Sequence, residues 1–411
     1  MQCQALTGTC RARVRRGTGA GTEWRTTRLR PYVGSMPSST TSQPPLGYAD
    51  VPFGRDCAAY GCTINDIKVD QLFAKYEACG FLYPAKLARL KPVFGRIAEN
   101  WERSMRAVDG RSLHRVYCYG SVESGAWASV SVWTTTNGTV HSQHLVSAGR
   151  PEASRAVLLC AQSDSYSQSE QGAQNWFRAE NRYPARIFGS CTLALGPAQS
   201  CVAQHACIGI DRSRLPDADG AVRVDRATDA DAPAVDRLAR RLCGDVQARA
   251  DEWAAGDVGL AALDRRYAAV GLRRHRSVFV ATAPGMLEPI GLAVAYRGPL
   301  GLNFSFLENR CEVWIDPQLP GELQAATAAA LIRRSASVYD DFELPSILVT
   351  TDAFTGRELL DRGAQPLQDY TRSAWLREGY GAWYAHVNGF YARVLAAARR
   401  AGGDQQREAC P

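Results

Sequence analysis

Lysine is scarce in this chain, occurring only at positions 68, 75, 86 and 91, so nearly all positive charge is arginine. No apolar run approaches the roughly 18 residues needed to cross a bilayer, which excludes a membrane-spanning helix. Cys-x-x-Cys is absent despite 13 cysteines, and the closest spacings, 57/62 and 201/207, have no histidine at zinc-ligand distance. No metal site is expected. Also missing are a Gly-x-Ser-x-Gly nucleophile elbow, a Gly-x-Gly-x-x-Gly turn and a Walker-type loop, which disfavours serine-hydrolase, dinucleotide and nucleoside-triphosphate chemistry.

What the chain does have is size and an uneven charge. Its 411 residues exceed one hydrophobic core, so two domains are expected. The net charge of +7 is concentrated in residues 1–35, where seven arginines face only Glu23 and give +6. The remaining body is near neutral, which makes a nucleic-acid partner unexpected. Residues 1–55, which end in a Pro/Ser/Thr-rich stretch, read as a disordered basic tail. The tail resembles a transit peptide only superficially; Met36 is the alternative start. The scattered, odd number of cysteines reads as reduced, mostly buried thiols in a cytoplasmic protein.

A first region spans 66–210. Leu90, Val93, Phe94, Ile97, Trp101 and Met105 recur at helical spacing, predicting an amphipathic helix over about 86–105 with Pro92 in its early turns. Trp127 to Trp133 alternates strictly, as a strand does, and Asn137-Gly138 signals a hairpin turn into a strand over about 139–147. Ser147-Ala148-Gly149-Arg150-Pro151-Glu152 then opens a helix, and such a helix start presents backbone N–H groups suited to phosphate. Residues 163–174 read as a mobile loop. A polar Pro/Gly segment at about 211–221 marks the boundary to a second region, 222–399. There the order is strand, helices, hairpin, short strand, helix, strand, helix, strand and a long amphipathic helix.

Three segments of the second region carry a resemblance. These are Val222–Asp231, with its Arg226-Ala227-Thr228 entry to a helix, Glu312-Val313-Trp314-Ile315-Asp316-Pro317, and Leu359-Leu360-Asp361-Arg362-Gly363-Ala364. Together with the element order they resemble the GNAT superfamily of N-acyltransferases. The resemblance implies an α/β fold (α+β, a mixed, mostly antiparallel sheet flanked by helices) and acyl transfer from acetyl-CoA or another acyl-CoA to an amine, small-molecule or protein. It also implies a helix start that grips the pyrophosphate. The corresponding loop, Gln318–Leu323, has one glycine, Gly321, and an acid, Glu322; the family's tyrosine position is Leu360. The first region repeats the helix, hairpin, loop and helix order, and its Ser147–Arg155 stretch supplies the glycine and basic residues that Gln318–Leu323 lacks. The expectation is two GNAT-like domains in tandem.

The candidate cofactor-binding residues are therefore Ser147, Gly149, Arg150, Ser154, Arg155 and Gly321. Glu312 is the candidate general base and Tyr370 the candidate acid, set against a solvated edge carboxylate and a packed strand residue. His144, Asn175, Trp176, Arg178, Arg182 and Tyr183 are candidates for substrate binding, set against an ordinary hydrogen-bonded histidine and a structural loop. His141 and His144, three apart on one strand, are expected on opposite faces, which argues against a shared metal. The rival to an enzyme is a GNAT-like module that binds a ligand or protein without catalysis.

Overall fold

The computed structural model describes residues 56–121, 123–217, 220 and 222–408. The expected tail over 1–55 lies outside the described residues. The first half runs β1 (Cys62–Ile64), α1 (Val69–Ala78), α2 (Pro84–Leu90), α3 (Phe94–Ser104), a small ribbon of β2 (Ala107–Val108) and β3 (Arg111–Ser112), and β4 (His114–Ser121). It continues through β5 (Ala126–Thr134), β6 (Thr139–Gly149), α4 (Pro151–Ser167), β7 (Gly172–Phe177), α5 (Arg182–Ile187), α6 (Cys191–Leu195) and β8 (Ser200–Asp211). The second half runs β9 (Arg223–Arg226), α7 (Ala232–Cys243), α8 (Asp245–Ala250), α9 (Ala261–Ala269), β10 (His275–Thr282), β11 (Gly291–Arg297) and β12 (Arg310–Ile315). It closes with α10 (Gly321–Ser335), β13 (Ser346–Thr351), α11 (Ala353–Asp361), β14 (Gln365–Pro366), β15 (Tyr370–Leu376) and α12 (Tyr380–Glu408). The boundary expected at 211–221 falls between β8 and β9.

Two local expectations change. The helix expected over 86–105 is broken into α2, a 3-10 turn at Lys91–Val93, and α3. Pro92 has no N–H to donate, and its ring clashes with the preceding turn. The loop expected over 163–174 is instead the last turn of α4, a short connection and the start of β7.

The mixed, mostly antiparallel sheet is present and is laid out twice. Its strand order is β1-β4-β5-β6-β7-β15-β8-β13-β12-β11-β10-β9, with β14 on β8. Read from either end, three antiparallel pairings lead to one parallel pairing, β6 with β7 and β12 with β13. A helix, α4 or α10, connects each parallel pair. At the centre the halves exchange strands: β15, from the second half, pairs with β7, and β8, from the first half, pairs with β13. β8 and β15 pair with each other. A repeated unit whose last strand completes the other copy explains why one sheet runs through both.

Alternation along the strands builds a core on each face. Val278, Leu292, Val294 and Tyr296 pack against α7, α8 and Trp253. Their neighbours Phe279, Ala281, Ala293 and Ala295 point the other way, against α10 and Leu359 of α11. On the α7 face of the first half, α1, α3 and α9 cover Trp127, Trp133 and Val146.

Candidate functional site

The parallel pairs are where the sheet opens. β6 pairs with β7 only from Thr139 to His141, and β12 with β13 only from Arg310 to Glu312. Past those residues the strands diverge, leaving backbone donors and acceptors at each fork without a ladder partner on that side. In the first half the fork is accentuated by a β-bulge: Gln143 and Val146 of β6 oppose Ser131 and Ser129, and His144 adopts φ 50°. One extra residue on β6 reverses the alternation beyond it.

That bulge corrects the expectation for the two histidines, whose rings both meet the α1–α3 face. His141 stacks on Trp133 with ring centroids 5.1 Å apart, and His144 stacks on Trp101 at 5.5 Å and Phe304 at 4.4 Å. They have different aromatic partners. Burial pushes the His144 ring well below its ordinary pKa, and the nearby Lys86 charge pushes it the same way.

Glu312 lies in a buried ion-pair network instead of on an exposed edge. Its Oε2 accepts from Arg310 Nε and Nη2 at 3.0 and 2.7 Å, and its Oε1 from Arg372 Nη1 at 3.3 Å. Arg372 Nη2 donates to Asp251 Oδ1 at 2.8 Å, and Gln247 Nε2 to Asp251 Oδ2 at 2.8 Å. Burial alone would raise the Glu312 carboxyl, but Arg310 and then Arg372 outweigh it and hold it down at about 2. Both oxygens are taken by guanidinium groups, so this carboxylate is committed to the network and not free to take a substrate proton.

His205 stands next to this network. It is 2% exposed and lies between Trp176, at 4.7 Å, and Trp314, at 5.3 Å. Neither ring nitrogen has a hydrogen-bond partner among the described residues, and the same holds for buried Trp176 Nε1, Thr350 Oγ1 and Arg372 Nε. Burial lowers the His205 pKa to about 4, with Glu312 opposing the shift and Arg372 and Arg310 adding to it. At neutral pH the ring is therefore uncharged, with one nitrogen a donor and the other an acceptor. Such a concentration of unsatisfied polar atoms marks a place able to hold a polar ligand.

Strand exchange carries Tyr370 to this seam. It pairs with His205 across β15 and β8, and Thr371 beside it pairs with Phe177. The Tyr370 hydroxyl donates to Ser305 Oγ at 2.6 Å, and Arg178, just past β7, hydrogen-bonds the hydroxyls of Tyr370 and Tyr83. Trp176 lies under the guanidinium groups of Arg310 and Arg372, at 4.9 and 5.5 Å. Asn175 points to the other face and bridges the fork by donating to the Ser142 carbonyl.

The remaining candidates sit on the α4 side. Ser147, Gly149 and Arg150 are exposed at the start of α4. Gly149 has φ 78°, and a Cβ there would fall 1.9 Å from the Gly125 carbonyl oxygen, so only glycine fits this turn. Ser154 and Arg155, one turn on, are tied to α12: Tyr391 hydrogen-bonds Ser154, and Arg155 Nε and Nη2 donate to Asn388 Oδ1 at 2.9 and 2.7 Å. Tyr183 hydrogen-bonds the same Tyr391, and Arg182 is exposed at the start of α5. Gly321 opens α10 in the other half, where a Cβ would lie 3.3 Å from Phe354 of α11. The structure thus gathers Glu312, Tyr370, Trp176 and Arg178 in one seam, with His144 at its first-half end, and leaves Ser147, Gly149 and Arg150 together elsewhere.

Sequence reasoning missed His205, Arg310, Arg372, Asp251 and Lys86. Arg310-Cys311-Glu312 carried a signal, since two opposite charges two apart on a strand share a face. Arg372 in the middle of an otherwise uncharged strand carried another.

No known family profile and no curated protein matches the chain. Solved structures do. A tandem GNAT protein from the clavulanic acid biosynthesis pathway is 11% identical, with TM-score 0.35, over 68% of this chain and 88% of that one. A GCN5-related N-acetyltransferase from Sphaerobacter thermophilus is 11% identical, with TM-score 0.35, over 68% and 85%. A putative acetyltransferase from Pyrococcus horikoshii is 9% identical, with TM-score 0.35, over 77% and 89%.

Proposed function

We propose that the protein is an acyl-CoA-dependent N-acyltransferase acting on an amine in a reducing cytoplasm. The observation that carries this reading is the bulged, open fork of β6 and β7 followed directly by the Gly149-Arg150 turn into α4. An extended, amide-bearing donor is suited to unpaired strand edges, and its phosphates to a helix start with an exposed arginine. Ser147, Gly149 and Arg150 would hold acyl-CoA, which supplies the activated acyl group. The chain's own part is proton handling: His205, neutral and buried, would accept the amine proton, and Tyr370 would donate one. Glu312 serves by fixing Arg310 and Arg372 around Trp176 and His205. The ten described cysteines are all unpaired, in keeping with a reducing compartment, and no helix among the described residues is long and apolar enough to cross a membrane.

Titration with acetyl-CoA and longer acyl-CoAs, followed by thermal unfolding, tests the reading. Saturable stabilisation is expected, and Gly149→Ala is expected to abolish it because the turn must shift. No stabilisation at millimolar cofactor would overturn it. A binding module without catalysis is the second reading. It is favoured by Phe354 packing against the start of α10, where the second half would need room for a phosphate.

A further inference from the structure

Lys86, on α2, holds its ammonium against aromatic rings. Its Nζ lies 3.8 Å from the centroid of the Phe81 ring and 5.4 Å from that of Tyr83. Burial, then the charges of Arg178 and Arg89, push its pKa to about 8. Arg178 arrives from a different element, past the end of β7, and its partners are the hydroxyls of Tyr370 and Tyr83. Arg89 is already engaged: its Nη2 donates to the Phe304 carbonyl at 2.6 Å, and its guanidinium lies over Phe306 at 5.6 Å. Glu180, two residues beyond Arg178, is exposed and accepts from Gln368 Nε2 at 3.0 Å. His144, a further titratable group near Lys86, is held neutral.

Two cations from separate elements thus meet at Tyr83, the Lys86 ammonium near its ring and the Arg178 guanidinium at its hydroxyl, and no carboxylate ion-pairs with either among the described residues. Cation–π contact with Phe81 accounts for where the Lys86 stem lies. The Tyr370 and Tyr83 hydroxyls account for the hydrogen bonds of Arg178, but neutral groups do not offset the repulsion between two neighbouring, partly desolvated cations. An oxyanion between them would remove that repulsion and accept charge-assisted hydrogen bonds from both, with the Tyr83 hydroxyl as a further donor.

We infer that Lys86 and Arg178 form a receptor for an oxyanion, carboxylate or phosphate, carried by the molecule whose amine is acylated. Only the identity of that carrier rests on the acyl-transfer reading; oxyanion binding does not. The site adjoins the seam, since Tyr370 joins Arg178 to the strand pair that holds His205.

With only four lysines in the chain, side-chain 13C labelling of lysine gives a spectrum in which Lys86 is identified by the signal lost in Lys86→Arg. Titrating the wild-type protein with pH, alone and with inorganic phosphate or succinate, should move the Lys86 midpoint upward in the presence of a bound probe, because an anion favours the ammonium form. Arg178→Gln should weaken the probe at least about tenfold and abolish the movement. The inference is overturned if neither probe at tens of millimolar moves Lys86, or if Arg178→Gln leaves the response intact. Stronger binding of succinate identifies a carboxylate-bearing acceptor, and stronger binding of phosphate a phosphorylated one. Acetyl-CoA stabilisation without any Lys86 response sinks the oxyanion site and leaves acyl transfer standing; a Lys86 response without acetyl-CoA stabilisation does the reverse.

Discussion

Phe304, from the loop between β11 and β12, stacks on His144 at the bulge of β6, with ring centroids 4.4 Å apart and planes 20° from parallel. The loop is fastened on both sides of this contact. Gln143 Nε2 donates to the Leu302 carbonyl, Asn303 Nδ2 to Gln143 Oε1, and Trp101 Nε1 to the Gly301 carbonyl at 2.8 Å. Gly301 has φ 80°, and a Cβ there would lie 2.3 Å from Ile97. The second half therefore supplies part of the core of the first. Phe304→Ala is expected to destabilise the whole chain by about 3–5 kcal/mol, as for other buried aromatics. A single cooperative denaturant transition, shifted to lower midpoint, would show it; loss of only part of the signal would argue that the halves unfold independently.

Arg372 is fully buried between two carboxylates, with Asp251 and Glu312 at 2.8 and 3.3 Å. Arg372→Met removes one of the two cations on Glu312 and is expected to cost about 3–5 kcal/mol, because it leaves buried charge uncompensated. The pH dependence has a definite sign. Glu312 binds its proton more weakly in the folded chain, at about 2, than at its ordinary 4.5. Its contribution is thus fully present above 4.5 and is lost as pH falls through 2. Glu312→Gln should flatten the decline of stability in that acid window, measured by urea unfolding from pH 5 downward.

Much of the fold was legible in local patterns. Trp127 to Trp133 alternates because one face of β5 meets α1 and α3, and Asn137-Gly138 turns into β6 as its composition implies. What local pattern does not encode is which strand lies beside which. Nothing in Tyr370–Leu376 says that it will pair with Gly172–Phe177, nearly 200 residues earlier in the chain, so the surroundings of Tyr370 are not legible in its own segment. The bulge at His144 was equally hidden, since an inserted strand residue has no composition of its own. Glu312 was found as a position, but its chemistry depends on Arg372, which only the strand exchange brings near.

Strand exchange itself is testable. A fragment ending near Pro216 keeps β8 but lacks β15, leaving the edge of β7 unpaired; the complementary fragment from Val222 lacks β8 and leaves β13 bare. Exposed edges of this kind invite aggregation. Each fragment alone is expected to be insoluble or unfolded, while the two expressed together should co-purify as one folded particle. Two independently folded, non-associating fragments would contradict the exchanged sheet.

His205 offers the sharpest test of the proposed chemistry. If its neutral ring accepts the amine proton, His205→Gln should lower kcat by about 10²–10⁴-fold while leaving the KM for the acyl donor nearly unchanged. Its environment also fixes the pH profile. Burial pushes the ring to about 4, and Arg372 and Arg310 contribute to keeping it there against the pull of Glu312. The acid limb of kcat should therefore fall near pH 4, well below the range of an ordinary histidine. Arg372→Met removes a positive charge beside the ring, so that limb should move to higher pH, whereas a purely structural role for Arg372 would lower stability without moving it. A limb that stays near 6.5 in both proteins would assign the proton to another group.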